Sequence, residues 1–380
     1  QTKVADVISE CFRRINQVDD AGIFISQSSL QYTERAISEL GEFDPISKPL
    51  WGIPFAVKDN IDVLGLTTTA GCPDFSYEPP SDSFVVNLLR EAGAICVGKT
   101  NLDQFATGLV GVRTPYPIPK NAIDPTIVPG GSSSGSAVSV AHGIVTFSLG
   151  TDTAGSGRVP AALNSIVGLK PTLGSLSNTG VVPACRTLDT ISIFAATVAD
   201  AYTVFQLAAV YDEQDSYSRN FSNPKLNAST LSKKIGIPSG DSIRFFGDKI
   251  QQASFDHTLE ELAKHGAELI ELDFEPFYSA ASLLYEGVWV AERYAAVGDF
   301  LEKSPGSFNP ITKQIISQAK KYSAADAFKD IYKLQSLKRT IRSKLADLDF
   351  ICVPSIPTFY SVADLIADPI TPNSNLGTYT

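Results

Sequence analysis

Apolar residues recur at helical spacing through 3–17 and 29–41, and this periodicity predicts an N-terminal helical lead-in. From Trp51 the rhythm changes. Runs at 55–63 and 95–98 read as strands, while 83–92 carries a helical stripe and 101–107 a shorter one. An apolar strand at 144–149 precedes a helix over 159–167, and 137–141 is a further helix-like run. Residues 234–237 and 267–272 read as strands flanking a helix at 248–265, which Gly266 stops. Helical patterns then cover 276–301, 309–321 and 323–347, and 349–354 reads as a buried closing strand. The polar stretch 212–232 reads as a surface connection. Strands alternating with helices predict an α/β domain with helices on the sheet's faces and a helical rim.

Composition narrows the function classes. The 380 residues are 43% apolar and 19% charged, as in a globular chain with a sizeable core. Lys and Arg number 31 against 41 Asp and Glu, a formal charge of -10. That balance excludes the basic footprint needed for nucleic acid or an anionic membrane. The five cysteines form no C-x-x-C pair and read as reduced residues of a cytoplasmic protein. His142, His257 and His265 lack ligand-like spacing, so no metal site is expected. Neither an 18-residue apolar stretch nor a signal peptide is present.

The densest small-residue cluster is Gly-Gly-Ser-Ser-Ser-Gly-Ser at 130–136. A phosphate cradle would require a following Lys, which is missing. Gly131, Ser133 and Gly135 match the G-x-S-x-G elbow, but that arrangement needs a later His as base. Both later histidines fall on a predicted amphipathic helix. A flexible linker is the third reading, and the apolar run that follows at once argues against it. A second special loop occupies 150–161, between a strand and a helix. Backbone N–H groups at such a junction can receive an anion or a developing oxyanion. Ala154 and Gly155 are small enough to admit a carbonyl. With histidine scarce, a serine nucleophile needs another base. Lys58 is the candidate, since Phe55, Ala56 and Val57 would bury its stem and favour the neutral amine. A surface lysine paired with Asp59 is the alternative.

Together these segments resemble the amidase signature family, over about 51–357. Gly-Ile-Pro-Phe-Ala-Val-Lys-Asp is similar to its lysine motif, and the Gly-Gly-Ser-Ser and Asp-Thr-Ala-Gly-Ser segments to its two serine motifs. The resemblance implies a large mixed β-sheet sandwiched between helices, with 1–50 as lead-in and 51–380 as the amidase domain, incomplete at its C-terminal end. It implies a Ser–cis-Ser–Lys triad: Lys58 as base, Ser132 as bridging cis-serine, Ser156 as nucleophile. The oxyanion hole falls on the N–H groups of Thr153, Ala154, Gly155 and Ser156. Ser132 and Ser156 lie 24 positions apart and Lys58 and Ser156 98 apart, spacings similar to the family's.

Within the family, Thr-Ala-Gly-Ser-Gly-Arg at 153–158 and the run 169–189 are similar to allophanate hydrolases. These release ammonia and carbon dioxide from the product of urea carboxylation. The segment from Tyr285 to Arg293 resembles the stretch that binds the substrate carboxylate. Tyr285, Trp289 and Arg293 would share one face of a helix. Arg158 is expected to clamp the nucleophile loop through Asp152. The likeness implies no cofactor for this chain; biotin and ATP enter only through a fused or partnered urea carboxylase. It allows a homodimer. Two readings stay open beside it: a general carboxamide amidase or glutamine amidotransferase subunit, and a non-catalytic binder of small amides.

Overall fold

The computed structural model describes residues 3–222, 226 and 233–380, so the expected connection at 212–232 lies partly outside the described residues. Six strands make the central sheet: β1 (Phe24–Gln27), β2 (Pro54–Lys58), β3 (Ile95–Thr100), β4 (Phe147–Thr151), β5 (Val167–Leu169) and β6 (Ile191–Ala195). Their spatial order is β1-β3-β2-β4-β6-β5. β2 runs parallel to both β3 and β4, while β1, β6 and β5 join antiparallel, so the sheet is mixed.

Four of these strands are buried along their whole length, which explains their near-continuous apolar runs. Phe55, Val57, Phe147, Leu149, Ile191 and Ile193 share one core with residues of the helices Phe84–Glu91 and Val198–Ala208. Ala56, Val97 and Phe194 join a second core with the helices Val4–Val18 and Ser134–Ala141. The Phe55 and Phe147 rings stack at 5.1 Å across the β2–β4 pair. Truncating either to Ala would cost about 3–5 kcal/mol.

The N-terminal lead-in belongs to this body. β1 pairs with β3, and Val4, Ile8, Ile23 and Leu40 join the second core. A separate parallel sheet holds β7 (Lys234–Pro238), β8 (Glu268–Leu272) and β9 (Phe350–Ile351) in the order β8-β7-β9. The helix Lys249–Lys264 starts where the Asp248 carboxylate accepts the Ile250 and Gln251 N–H groups. It stops before Gly266 at φ +90°.

The structure departs from the sequence pattern in four places. The helix expected at 101–107 is only a 3₁₀ turn, Gln104–Ala106, with Phe105 and Ala106 at positive φ. Here the Asp103 carboxylate gathers the N–H groups of Val110, Gly111 and Arg113 and folds the chain back. The helix expected at 159–167 ends at Leu163, and Val167 opens β5. The stripe at 276–301 is two helices, Glu275–Glu286 and Val290–Lys303. They part at Gly287, where Asp330 accepts the Val288 N–H. The closing strand at 349–354 is a two-residue edge, Phe350–Ile351, and it is exposed.

Candidate active site

β2 and β4 are parallel neighbours ending at Lys58 and Thr151, and the carboxyl ends of such strands are where α/β sheets place ligands. Lys58 Nζ lies 2.8 Å from Ser132 Oγ and 2.7 Å from Thr151 Oγ1. Lys58 and Ser132 are fully buried. Burial draws the lysine pKa down to about 7, against the pull of the Asp103, Asp152 and Asp189 carboxylates. Asp59 is not its partner. That carboxylate pairs with Lys99 at 3.2 Å, equally buried, and accepts the Thr69 N–H.

Ser132 follows a cis peptide bond from Gly131 and precedes the helix Ser134–Ala141. Its carbonyl accepts the Asp103 N–H at 3.1 Å. A Cβ on Gly131 would collide with Asp103 Oδ2 and the Gly111 nitrogen, so only glycine fits. Asp103 thus joins the Gly131–Ser132 peptide to the turn that forms one side of the site.

The loop from Asp152 to Arg158 is built around the buried Asp152 carboxylate. It accepts the N–H groups of Gly155 (2.7 Å) and Gly157 (3.0 Å), the Arg158 guanidinium (2.9 Å on both oxygens) and Lys170 Nζ (3.1 Å). Burial acts to raise its pKa, but Lys170 and Arg158 hold the carboxyl far below the usual range. Arg158 is the expected clamp. Of the four N–H groups expected in the oxyanion hole, that of Gly155 donates to Asp152 here, and those of Thr153, Ala154 and Ser156 are without an acceptor among the described residues. Gly155 sits at φ +122°, where a Cβ would also strike Thr380. Thr153 Oγ1 donates to Asp189 at 2.5 Å. Ser156 Oγ donates to the Gly108 carbonyl at 3.4 Å, and no hydrogen bond joins it to Ser132 Oγ.

Ser156, Thr153 and Ala154 open onto a cavity of about 130 Å³ that Tyr285 and Arg293 also line. Tyr285 is in the last turn of one helix and Arg293 in the first turns of the next. The two line one cavity across the break at Gly287, not along one helical face, and Trp289 lies outside the cavity lining. Arg293 Nη1 donates to Thr107 Oγ1 at 3.1 Å and to the Ala106 carbonyl at 3.4 Å. Among the described residues no carboxylate pairs with it. Cys185 lies behind this wall, its thiol on the Trp289 carbonyl at 3.6 Å. Burial pushes that thiol up to about 12, so the reactive thiolate is scarce at neutral pH.

Sequence reasoning missed several residues of this site. Thr151 is the second partner of Lys58, while Asp103 holds the Ser132 loop and Asp189 the Ser156 loop. Arg113, buried in the cavity wall, donates to the carbonyls of Thr107 (3.0 Å) and Pro369 (2.7 Å). Asn373, on the same wall, accepts the Leu109 N–H at 2.8 Å. Thr151 and Asp152 stand inside the conspicuous 150–161 loop, but nothing local marks Arg113 or Asn373.

Comparison with known proteins agrees with the geometry. The family profile described as Amidase matches residues 6–365. Urea amidolyase of Saccharomyces cerevisiae is 47% identical over 97% of this chain, which spans only 20% of that relative's length. Urea amidolyase of Lachancea kluyveri is also 47% identical, over 87% of this chain and 18% of its own. The structure of Kluyveromyces lactis allophanate hydrolase superposes with a TM-score of 0.95 at 42% identity, covering all of this chain and 63% of that one. With the profile running over nearly the whole length, Lys58 bonded to the buried Ser132 and Ser156 on the adjoining cavity, the chain belongs to the amidase family.

Proposed function

We propose that this chain hydrolyses allophanate, releasing ammonia from its terminal amide by a Lys58–Ser132–Ser156 relay. The observation that carries the substrate is Arg293, a guanidinium without a carboxylate partner in the cavity that holds Ser156. In a protein of charge -10 a small anion needs such a local cation, and Arg offers it a bidentate fork. Tyr285 adds a hydroxyl donor.

Neutral Lys58 has a lone pair for the Ser132 proton, while one of its N–H bonds goes to Thr151 Oγ1. As Ser132 gives that proton to Nζ, its oxygen takes the proton of Ser156, whose Oγ attacks the amide carbon. Ser156 must turn from the Gly108 carbonyl to do so. The resulting oxyanion faces the N–H groups of Thr153, Ala154 and Ser156, each such donor contributing about 100- to 1000-fold in rate. The C–N bond breaks as the nitrogen regains a proton through Ser132, and ammonia leaves. Water then attacks the acyl carbon, giving its proton back along the same route. Freed from Ser156, the dicarboxylated amine takes up protons from water and decays to two molecules of carbon dioxide and a second ammonia.

The substrate is the product of urea carboxylation. A urea carboxylase, fused or separate, is therefore the partner in this reading, and its biotin and ATP are not needed by this chain. The long urea amidolyase relatives support a fused arrangement. Among the described residues no helix is long and apolar enough to cross a membrane; free, mostly buried thiols favour a cytoplasmic setting.

The test is ammonia release from allophanate beside malonamide, biuret and glutamine. Preference for allophanate by about 100-fold in kcat/KM is expected, a difference of about 2.7 kcal/mol. Equal turnover of the neutral amides would make the chain a general amidase. Preference for glutamine would place it with the amidotransferases.

A further inference from the structure

Asn373 sits in the short helix Thr371–Leu376 on the wall of the Ser156 cavity, 7% exposed. Its Oδ1 accepts the Leu109 N–H at 2.8 Å. A backbone N–H only donates, so this contact decides which end of the amide is oxygen. The other end, Nδ2, is therefore a donor, and it has no acceptor among the described residues. It is not sealed off either, since it is absent from the fully enclosed, unpartnered side-chain atoms.

Two neighbours share its character. A Cβ on Gly377, one turn later, would come within 3.0 Å of Tyr285 Oη and 2.8 Å of Leu109 Cδ1, so Tyr285, Leu109 and this turn form one cluster. Tyr285 Oη makes no hydrogen bond among the described residues. Arg293, lining the same cavity, uses only Nη1 on protein atoms. No carboxylate lines the wall, and beside Arg113, Gln318 and Ser374 it presents the Arg293 guanidinium, the Tyr285 phenol and an oriented amide NH₂. A substrate carboxylate, with about four lone-pair sites, can take all three.

We infer that Asn373 is a specificity-determining residue whose Nδ2 donates to the carboxylate of the substrate, beside Arg293 and Tyr285. This rests on the anionic-substrate reading above. The Leu109 contact then has a second role: it locks the amide so that the donor, not the acceptor, faces the anion. Ordering the donor beforehand lowers the entropic cost of binding.

The test compares allophanate with neutral malonamide in Asn373→Asp, Asn373→Ala and Arg293→Ala. Asn373→Asp keeps an oxygen for the Leu109 N–H but loses the donor. KM for allophanate should rise by at least about 10-fold, while KM for malonamide should change by less than about 2-fold. Asn373→Ala should show the same selectivity and serves if the Asp variant does not fold. If both Asn373 variants raise KM equally for the two substrates, or for neither, Asn373 only holds the Leu109 loop and the inference falls. Arg293→Ala separates the two levels. Selectivity lost there as well would overturn the anionic-substrate reading itself, whereas selectivity there without it at Asn373 overturns this inference alone.

Discussion

Lys58 Nζ lies 2.8 Å from Ser132 Oγ, with both side chains sealed from solvent at the end of β2. A cation there would be poorly solvated, and burial brings the lysine to about 7. Only the neutral amine has the lone pair that Ser132 needs. The kcat/KM of the wild-type protein should therefore fall about tenfold per pH unit below a midpoint near 7. A pH–rate profile flat from 5 to 8 would remove Lys58 from the base role.

Thr151 accepts from Lys58 at 2.7 Å and from Asn60 at 3.4 Å, and it favours the charged lysine as an acceptor. Thr151→Val deletes that acceptor at nearly constant volume. The acid limb should move to lower pH, because the ammonium loses more than the amine does. The maximal rate should also fall by about 10-fold as Lys58 loses its second anchor. Thr151→Ser should restore both, and the pH profile of the pair checks it.

Arg293 without a carboxylate partner calls for a test by substrate charge. Arg293→Ala should raise KM for allophanate by about 10- to 100-fold, the value of one hydrogen bond to a charged group. Malonamide should be nearly unaffected. Steady-state kinetics on both substrates read the difference, and a rise shared by both would assign Arg293 to the Thr107 loop.

Asp152 is a buried carboxylate held by Arg158, Lys170 and two glycine N–H groups. Its folded pKa lies below the unfolded one, so its stabilisation is present above the usual carboxylate range and lost as pH falls through the folded value. Asp152→Ala should cost about 3–5 kcal/mol at pH 7, since it strands two buried glycine N–H groups and two half-buried cations. Urea denaturation measures it. A cost below about 1 kcal/mol would show that the loop is held by other contacts.

What was legible in the sequence was local. Lys58, Ser132 and Ser156 sit in dense short motifs, and the structure brings Lys58 to Ser132 and places Ser156 on the adjoining cavity. The buried strands β2 and β4 announced themselves as apolar runs. The interruption at Gly287 did not, because apolar spacing continues through 276–301 and Asp330, 42 positions away, caps the gap. Asp103 likewise looked like a helix residue, although its carboxylate instead collects three N–H groups of the turn that follows. Gly155 was expected among the oxyanion donors by family resemblance, and that its N–H reaches the Asp152 carboxylate is a contact no motif records. Arg113 and Asn373 reach the cavity by contacts spanning 256 and 264 positions, which no periodicity records.

Ser156 carries the one hydroxyl that the proposed reaction cannot replace. The most direct measurement is ammonia release from allophanate by the wild-type protein and by Ser156→Ala, with a melting curve showing that both are folded. Wild-type turnover with a variant rate lower by at least about 1000-fold is expected. A folded Ser156→Ala that retains a tenth of the wild-type rate would contradict the serine relay.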